Sequence, residues 1–315
     1  MKTLHHRLTG LPDGRWNILV MGLDIAFFTV GLNISSSYAI LPLFAAHLTH
    51  QNSLIALIPA LRTIGIFGPP LLVAGIVERR TRVKPFMLWT TLFERIPFLL
   101  LAVAALLLAR GQDGALLVLF FILVFTQALG SGLTFPSWLD LIARAIPNHV
   151  RGRFLGNSTG IGNILGTGGA ALAAAIIVGL AWPVNYALCF ILSFVAVTIS
   201  FGLLASVREP ERLAVQTPNT GTALMRGGLW VRSMGAVVRG DPLFQPYLIA
   251  TAFSGLAMLG SGLLAVAALK QAHLSEQVVA FEATVLIIAS TAANFFWGWF
   301  GDRFGHRLVL VWGSG

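Results

Sequence analysis

Apolar residues come in long runs along this chain, and polar residues come in short bursts between them. Crossing a bilayer as an α-helix takes about 20 consecutive apolar residues. Eight runs meet that length, at about 17–47, 54–77, 86–109, 115–143, 154–181, 184–207, 244–269 and 278–300. A ninth begins at Leu308 and stops at Gly315. The pattern predicts an all-α integral membrane protein of eight complete transmembrane helices plus the start of a ninth. The N-terminus is basic (Lys2, Arg7, Arg15), as in a signal peptide. The run after it is about twice as long as a signal-peptide core and lacks a convincing cleavage site, so it reads as an uncleaved first helix.

Composition sharpens this picture. Hydrophobic residues make up 56% of the chain and charged residues 10%, against about 45–50% and about 25% in soluble domains. A water-soluble core is excluded. The net charge of +9 would suit a nucleic-acid partner, but the placement of the charges excludes one. Of the 21 Lys and Arg, only Arg110 and Lys270 fall in one set of connections, and only Arg62 and Arg95 inside apolar runs; all the others occupy the alternate connections. That is positive-inside asymmetry, and it predicts a cytoplasmic N-terminus. The single Cys189 permits no internal disulfide and reads as a packing residue.

The segment 208–243 divides the chain into a six-helix half (1–207) and an incomplete second half (244–315). It passes through a polar stretch into an amphipathic one. There Leu224, Met225, Leu229, Trp230, Met234 and Val238 alternate with Arg226, Arg232 and Arg239. An interfacial helix lying on lipid headgroups is expected, with partner recruitment as the rival reading.

Charges inside the hydrocarbon cost several kcal/mol unless they are paired or hydrated, so they are candidate functional groups. Five qualify: Asp24, Arg62, Glu94, Arg95 and Glu282. At a rise of ~1.5 Å per residue, Arg62 and Glu94 differ in height by only ~6 Å in a core ~30 Å thick, so an Arg62–Glu94 ion pair is expected. Neighbours in sequence point about 100° apart on a helix. Glu94 and Arg95 are therefore expected to face different surroundings, one the central cavity and the other an adjoining helix. In the functional reading Asp24, Arg62 and Glu94 form a proton or substrate site, with Glu282 contributing from the second half. In the plainer reading the charges fix helix register, and Asp24 and Glu282 lie near enough to the interfaces to stay hydrated. Asn33, Ser35, Ser36, Ser37 and Tyr38 form the most polar stretch of the first run, where they could meet a substrate or a neighbouring helix. Gln127, Asn157, Asn163 and Asn294 are weaker candidates. The histidines have no metal-ligand spacing, and no phosphate-binding Gly-x-x-x-x-Gly-Lys-Ser/Thr occurs. No metal, cofactor or enzymatic centre is expected.

Two polar connections carry recognisable spacing. The first is Gly298-Trp-Phe-Gly-Asp302-Arg303-Phe-Gly305-His306-Arg307, with a worn copy at Gly75-Ile-Val-Glu78-Arg79-Arg80-Thr-Arg82-Val-Lys84. Aligning Glu78 with Asp302 also aligns Arg79 with Arg303. The motif reads as a short membrane-surface turn in which Asp302 caps the following helix. The second is Trp138-Leu-Asp140-Leu-Ile-Ala-Arg144 followed by Ile146-Pro-Asn-His-Val-Arg151-Gly-Arg153. Asp140 and Arg144, at i and i+4, form a helix pair. Arg151 and Arg153 sit at a helix N-terminus, which is unfavourable for cations without a compensating anion.

The Gly-x-x-x-Asp-Arg-x-Gly-x-Arg spacing resembles the loop signature of the major facilitator superfamily of secondary transporters. The Pro147 to Arg153 segment is similar to that superfamily's Pro-x-x-x-Arg-Gly-Arg, and Arg208-Glu-Pro-Glu-Arg212 to the charged tail after its sixth helix. The resemblance implies two pseudo-symmetric halves, a small-molecule substrate (protons among the coupling candidates), a monomer, and a prokaryotic cytoplasmic (inner) membrane. It implies an inner gate in which Asp302 meets Arg151 and Arg153, while Glu78 has its partner on an eleventh helix, beyond this chain. A C-terminally truncated member is therefore expected. The glycines at 152, 156, 160, 162, 166, 168 and 169 suit close helix packing. That run has no Pro, and 127–132 has no Arg, both departures from the proton–drug antiporter pattern. The reading is a secondary active transporter working by alternating access. Its rival is a non-transporting membrane sensor or a truncated remnant.

Overall fold

The structure, a computed structural model, describes residues 13–37, 39–78, 80–109, 111, 113–210, 240, 245, 276–305 and 309. Ten helices are described: α1 (Asp13–Ile34), α2 (Ile40–Leu48), α3 (Asn52–Phe67), α4 (Pro69–Val77), α5 (Lys84–Thr90), α6 (Leu92–Leu108), α7 (Asp113–Ala145), α8 (Asn148–Gly179), α9 (Val184–Ala205) and α10 (Glu276–Phe304). Taken with their continuations, six described helices are long and apolar enough to cross a membrane: 13–34, 52–77, 84–108, 113–145, 148–179 and 184–205. They correspond to the six runs expected of the first half, and α10 covers the eighth run. The seventh run, the amphipathic stretch at 224–239 and the start of the ninth run lie outside the described residues, Gln245 and Val309 excepted.

Three expected runs are interrupted. The first breaks between Ile34 and Ile40, where the serines leave the helix; Ser35 Oγ meets Ser193 Oγ of α9 at 2.6 Å. Short hydroxyl side chains of this kind compete with the helical ladder for backbone and neighbouring partners. The second breaks at Gly68, because Pro69 and Pro70 cannot donate to the preceding turn. The third breaks at Thr91, beside the charged pair Glu94–Arg95.

The chain divides into two compact units, Met1–Val215 and Gln216–Gly315. In the first unit α1 packs between α8 and α9, while α7 packs on α3 and α6. The glycines of α8 make its seam with α1: a Cβ on Gly162 would meet Thr29, and one on Gly166 would meet Asn33. Two apolar clusters fill the interior. One gathers Phe44, Phe120, Tyr186 and Phe190; the other gathers Met21, Met87, Leu141 and Leu204. The buried charged residues, and Ser200 with them, fall between the two along their helices. Asp24 lies between Met21 and Ile34, Glu94 and Arg95 between Met87 and Leu101, and Ser200 between Phe190 and Leu204.

One end of this unit is tied by the segment after α9. Asn17 Nδ2 donates to the Arg208 carbonyl at 2.8 Å, and the Arg208 amide donates to Asn17 Oδ1 at 2.9 Å. Trp16 Nε1 donates to the Ser206 carbonyl at 2.9 Å. Glu209 accepts the amides of Val83 (2.7 Å) and Lys84 (3.1 Å), so its carboxylate sits at the N-terminal start of α5, where the helix dipole favours it. Asn17 is buried, and Asn17→Ala would leave two backbone groups of Arg208 without that partner. The expected cost is about 1–3 kcal/mol, read as a lower unfolding midpoint in detergent. An unchanged midpoint would show that this clamp contributes nothing.

In the second unit α10 runs through Asp302 and Arg303 to Phe304, so the Gly298–Arg303 part of the loop motif is helical, not a turn. The helix stops before Gly305, whose φ of +93° is one that L side chains rarely adopt; it is the left-handed stop common at helix ends. The guanidinium of Arg303 lies over the Trp299 ring at 5.5 Å.

Candidate functional site

A cavity of about 370 Å³ opens inside the first unit. Among its lining residues four are ionisable: Asp24 on α1, Arg62 on α3, and Glu94 and Arg95 on α6. Phe28, Phe135 and Trp138 supply an aromatic wall, and the rings of Phe135 and Trp138 stack at 22°. The size sits near the lower end of the roughly 300–1,000 Å³ usual for small-molecule sites.

Arg95 is the hub. It is 4% exposed. Its Nε donates to the Val197 carbonyl of α9 at 2.8 Å, and Nη2 donates to Ser200 Oγ at 2.9 Å. Its Nη1 donates to both the carbonyl and the hydroxyl of Thr91 and approaches Glu94 Oε2 at 3.4 Å. The rings of Phe28 and Phe201 flank its guanidinium at 5.5 and 5.7 Å. Glu94 accepts from Thr91 Oγ1 at 3.1 Å and from Ser131 Oγ of α7. Gln127 Nε2 in turn donates to Ser131 at 3.3 Å. Asp24 accepts from Ser200 Oγ at 2.6 Å and from Trp138 Nε1 at 3.4 Å. Ser200 therefore takes a hydrogen bond from Arg95 and gives one to Asp24. The result is one connected polar network across α1, α6, α7 and α9, set in apolar surroundings. Such networks are costly when half satisfied.

This geometry changes two expectations. Glu94 and Arg95 were expected to turn apart, but they pair. The guanidinium of a long side chain folds back one turn onto Thr91, and there it meets the Glu94 carboxylate. Asp24 was expected near an interface in the plainer reading, yet it is 3% exposed and bonded to two other helices. Arg62 lines the same cavity, half-buried, and its charge acts on Glu94.

A family model described as Major Facilitator Superfamily matches residues 23–315. The chain belongs to the major facilitator superfamily. No curated protein and no solved structure matches it. This is a superfamily of membrane transporters, and six long apolar helices fit a multi-pass integral membrane protein.

The other expected site residues of this superfamily member fall elsewhere. Asn33 Nδ2 bonds to the Thr29 carbonyl of its own helix at 2.9 Å, and neither Asn33 nor the half-buried Ser36 lines the cavity. Tyr38, Arg79 and Arg307 lie outside the described residues, as does the side chain of Glu282 on α10. Glu78 ends α4 and is exposed. Arg144 pairs with Asp140 at 2.7 Å, as the i, i+4 spacing predicts. It also donates to the carbonyls of Arg80 and Thr81 and meets Glu209 at 3.4 Å, so it holds the worn loop copy in place. Arg151 needs no anion: its guanidinium turns back onto the Ala143 and Ile146 carbonyls at the C-terminal end of α7. That end of a helix attracts cations. Arg153 is exposed, Asp302 half-buried, and Gly298 buried on α10.

Thr91, Ser131, Trp138, Val197 and Ser200 were not singled out for this site from sequence. A faint signal existed for α9, where Ser193 and Ser200 lie seven apart on one face of an apolar helix and are both fully buried.

Proposed function

We propose that this protein moves a small solute across the cytoplasmic membrane by alternating access, with proton movement coupled through Glu94 and Asp24. The observation that carries this reading is the network itself. Two buried carboxylates border a cavity large enough for a small molecule: Glu94 is held by two hydroxyls and Arg95, and Asp24 by Ser200, which Arg95 holds in turn, so a change in protonation would rearrange the arginine. Charged groups at such depth mark ion and substrate pathways more often than scaffolding. In this reading the N-terminus is cytoplasmic, the chain contributes eight spans and the start of a ninth, and the membrane is a prokaryotic inner membrane. A sensor or remnant is the weaker reading, because neither requires carboxylates beside an open cavity.

The test is proton flux in vesicles containing the full-length protein, across a panel of sugars, amino acids, organic anions and organic cations. At least one solute is expected to drive proton flux. Glu94→Gln is expected to abolish that flux while solute exchange down its own gradient survives. Coupled flux of wild-type size in Glu94→Gln would remove Glu94 from the coupling and leave it a structural role.

A further inference from the structure

Gln127 is a buried amide with one end unanswered. It lies on α7 behind Ser131, which lines the cavity, and it is 2% exposed. Its Nε2 donates to Ser131 Oγ at 3.3 Å, a long bond. Its Oε1 has no hydrogen-bond partner among the described residues. A buried acceptor left unpaired is uncommon in folded proteins, and an apolar side chain would avoid its cost. Ser131 explains the arrangement. Its hydroxyl has a single proton, and that proton goes to Oε1 of Glu94. Only lone pairs are then left for Gln127, which must present its nitrogen. The carboxylate therefore dictates the orientation of an amide that it does not touch.

We infer that Gln127 is a positioning residue for the proton on Glu94, its amide turning over when the carboxylate takes that proton up. The inference rests on the coupling reading above and adds a residue to it. With Glu94 ionised, donation runs from Gln127 Nε2 to Ser131 and from Ser131 to Glu94. Oε2 of Glu94 already accepts from Thr91 and faces Arg95, so the incoming proton goes to Oε1. That oxygen then donates to Ser131, whose own proton swings to the far side. Gln127 meets it with Oε1 after a half-turn about its last side-chain bond. The site gains a proton on Glu94 alone, while Ser131 and Gln127 each keep theirs. In either orientation one end of the amide bonds to Ser131 and the other end is unpaired. The two orientations are thus close to balance, and the charge of Glu94 decides between them. Arg95 on the same helix, Arg62 on α3 and Asp24 on α1 are the charged groups acting with it. From α7 it meets the hydroxyl of Ser131. Glu94 keeps its bond to Ser131 in both states, so neither leaves that link of the network broken.

The test is infrared difference spectroscopy across a pH step on the purified full-length protein in lipid, with glutamine isotope-labelled at the side-chain carbonyl. Acidification is expected to raise a carboxyl band that is missing in Glu94→Gln. A shift of one labelled amide band should accompany it, and that shift should be missing in Gln127→Met. In Ser131→Ala the two signals should part: the carboxyl band stays and the amide shift vanishes, because the link between them is gone. Melting midpoints identify any variant that no longer folds. Should Gln127→Met be one, Gln127→Asn replaces it, its amide too short to reach Ser131. An amide shift that survives Ser131→Ala overturns the inference and leaves the coupling reading standing. So does a Glu94 band with no Gln127 shift in the wild type, where Ser131 would turn to a carbonyl of its own helix instead. No Glu94 band at any pH where the protein stays folded takes the proton off Glu94, and the inference and the coupling reading fail together.

Discussion

Arg95→Met will destabilise the first six-helix unit by about 3–5 kcal/mol and abolish transport. Methionine approximates the length of the arginine stem but cancels every polar contact of the hub. The Val197 carbonyl loses its Nε donor, Ser200 loses the hydrogen bond it accepts, and Glu94 is left charged and buried without its adjacent cation. Removing one partner of a buried pair costs far more than removing both. The double variant Glu94→Gln/Arg95→Met should therefore recover part of the stability while remaining inactive. Arg95→Lys should not rescue, because one ammonium cannot reach α9 at two points and Thr91 as well. Thermal unfolding in detergent reads all three. If Arg95→Met melts with the wild type, the hub does not hold these helices together.

Gly130→Ala will be nearly as damaging, through sterics alone. A Cβ at that position would stand 2.5 Å from the backbone nitrogen of Glu94 and 2.6 Å from the Phe93 carbonyl carbon. Both are backbone atoms of α6, so no side chain can swing aside, and α6 and α7 must separate. Overpacking of this kind costs about 1–3 kcal/mol and more where the backbone resists. Separation would also pull Ser131 on α7 away from Glu94, so transport should fall even where the protein still folds. Gly168→Ala is the control. Nothing lies within 4 Å of a Cβ there, and alanine favours the helix by up to about 1 kcal/mol. Equal melting midpoints for wild type and Gly130→Ala would refute the close approach of these two helices.

Much of the scaffold could be read from hydropathy, because a lipid environment asks for long apolar runs and little else. What hydropathy averages away is the interruption. A window of about twenty residues spans Ser35 to Ala39 without registering that the helix stops there and that Ser35 bonds to Ser193 of α9. The buried charges were also legible, since an ionised group in hydrocarbon is conspicuous in any sequence, and Asp24, Arg62, Glu94 and Arg95 do border one cavity. Their partners were not legible. Ser131, Trp138 and Ser200 join the site only through the rotation of α7 and α9 about their axes, and hydroxyls are common in apolar helices for many reasons. The misjudged Glu94–Arg95 pair has a different cause. Directions drawn from the helix axis describe where a side chain starts, and arginine is long enough to end a full turn away, on Thr91. Gly130 was read as part of a departure from an antiporter signature, although its role is to let α6 come near enough for Ser131 to hold Glu94.

The most direct measurement is accessibility of the cavity from each side of the membrane. Cys189 is the chain's single cysteine and is buried, so Cys189→Ser gives a clean background for Leu32→Cys or Phe135→Cys, both on the cavity lining. A membrane-impermeant maleimide is applied to one face of oriented vesicles and then to the other, with and without a proton gradient. For an alternating-access transporter the expected result is labelling from both faces, with the gradient shifting the balance from one to the other. Labelling from a single face under every condition would contradict transport through this cavity.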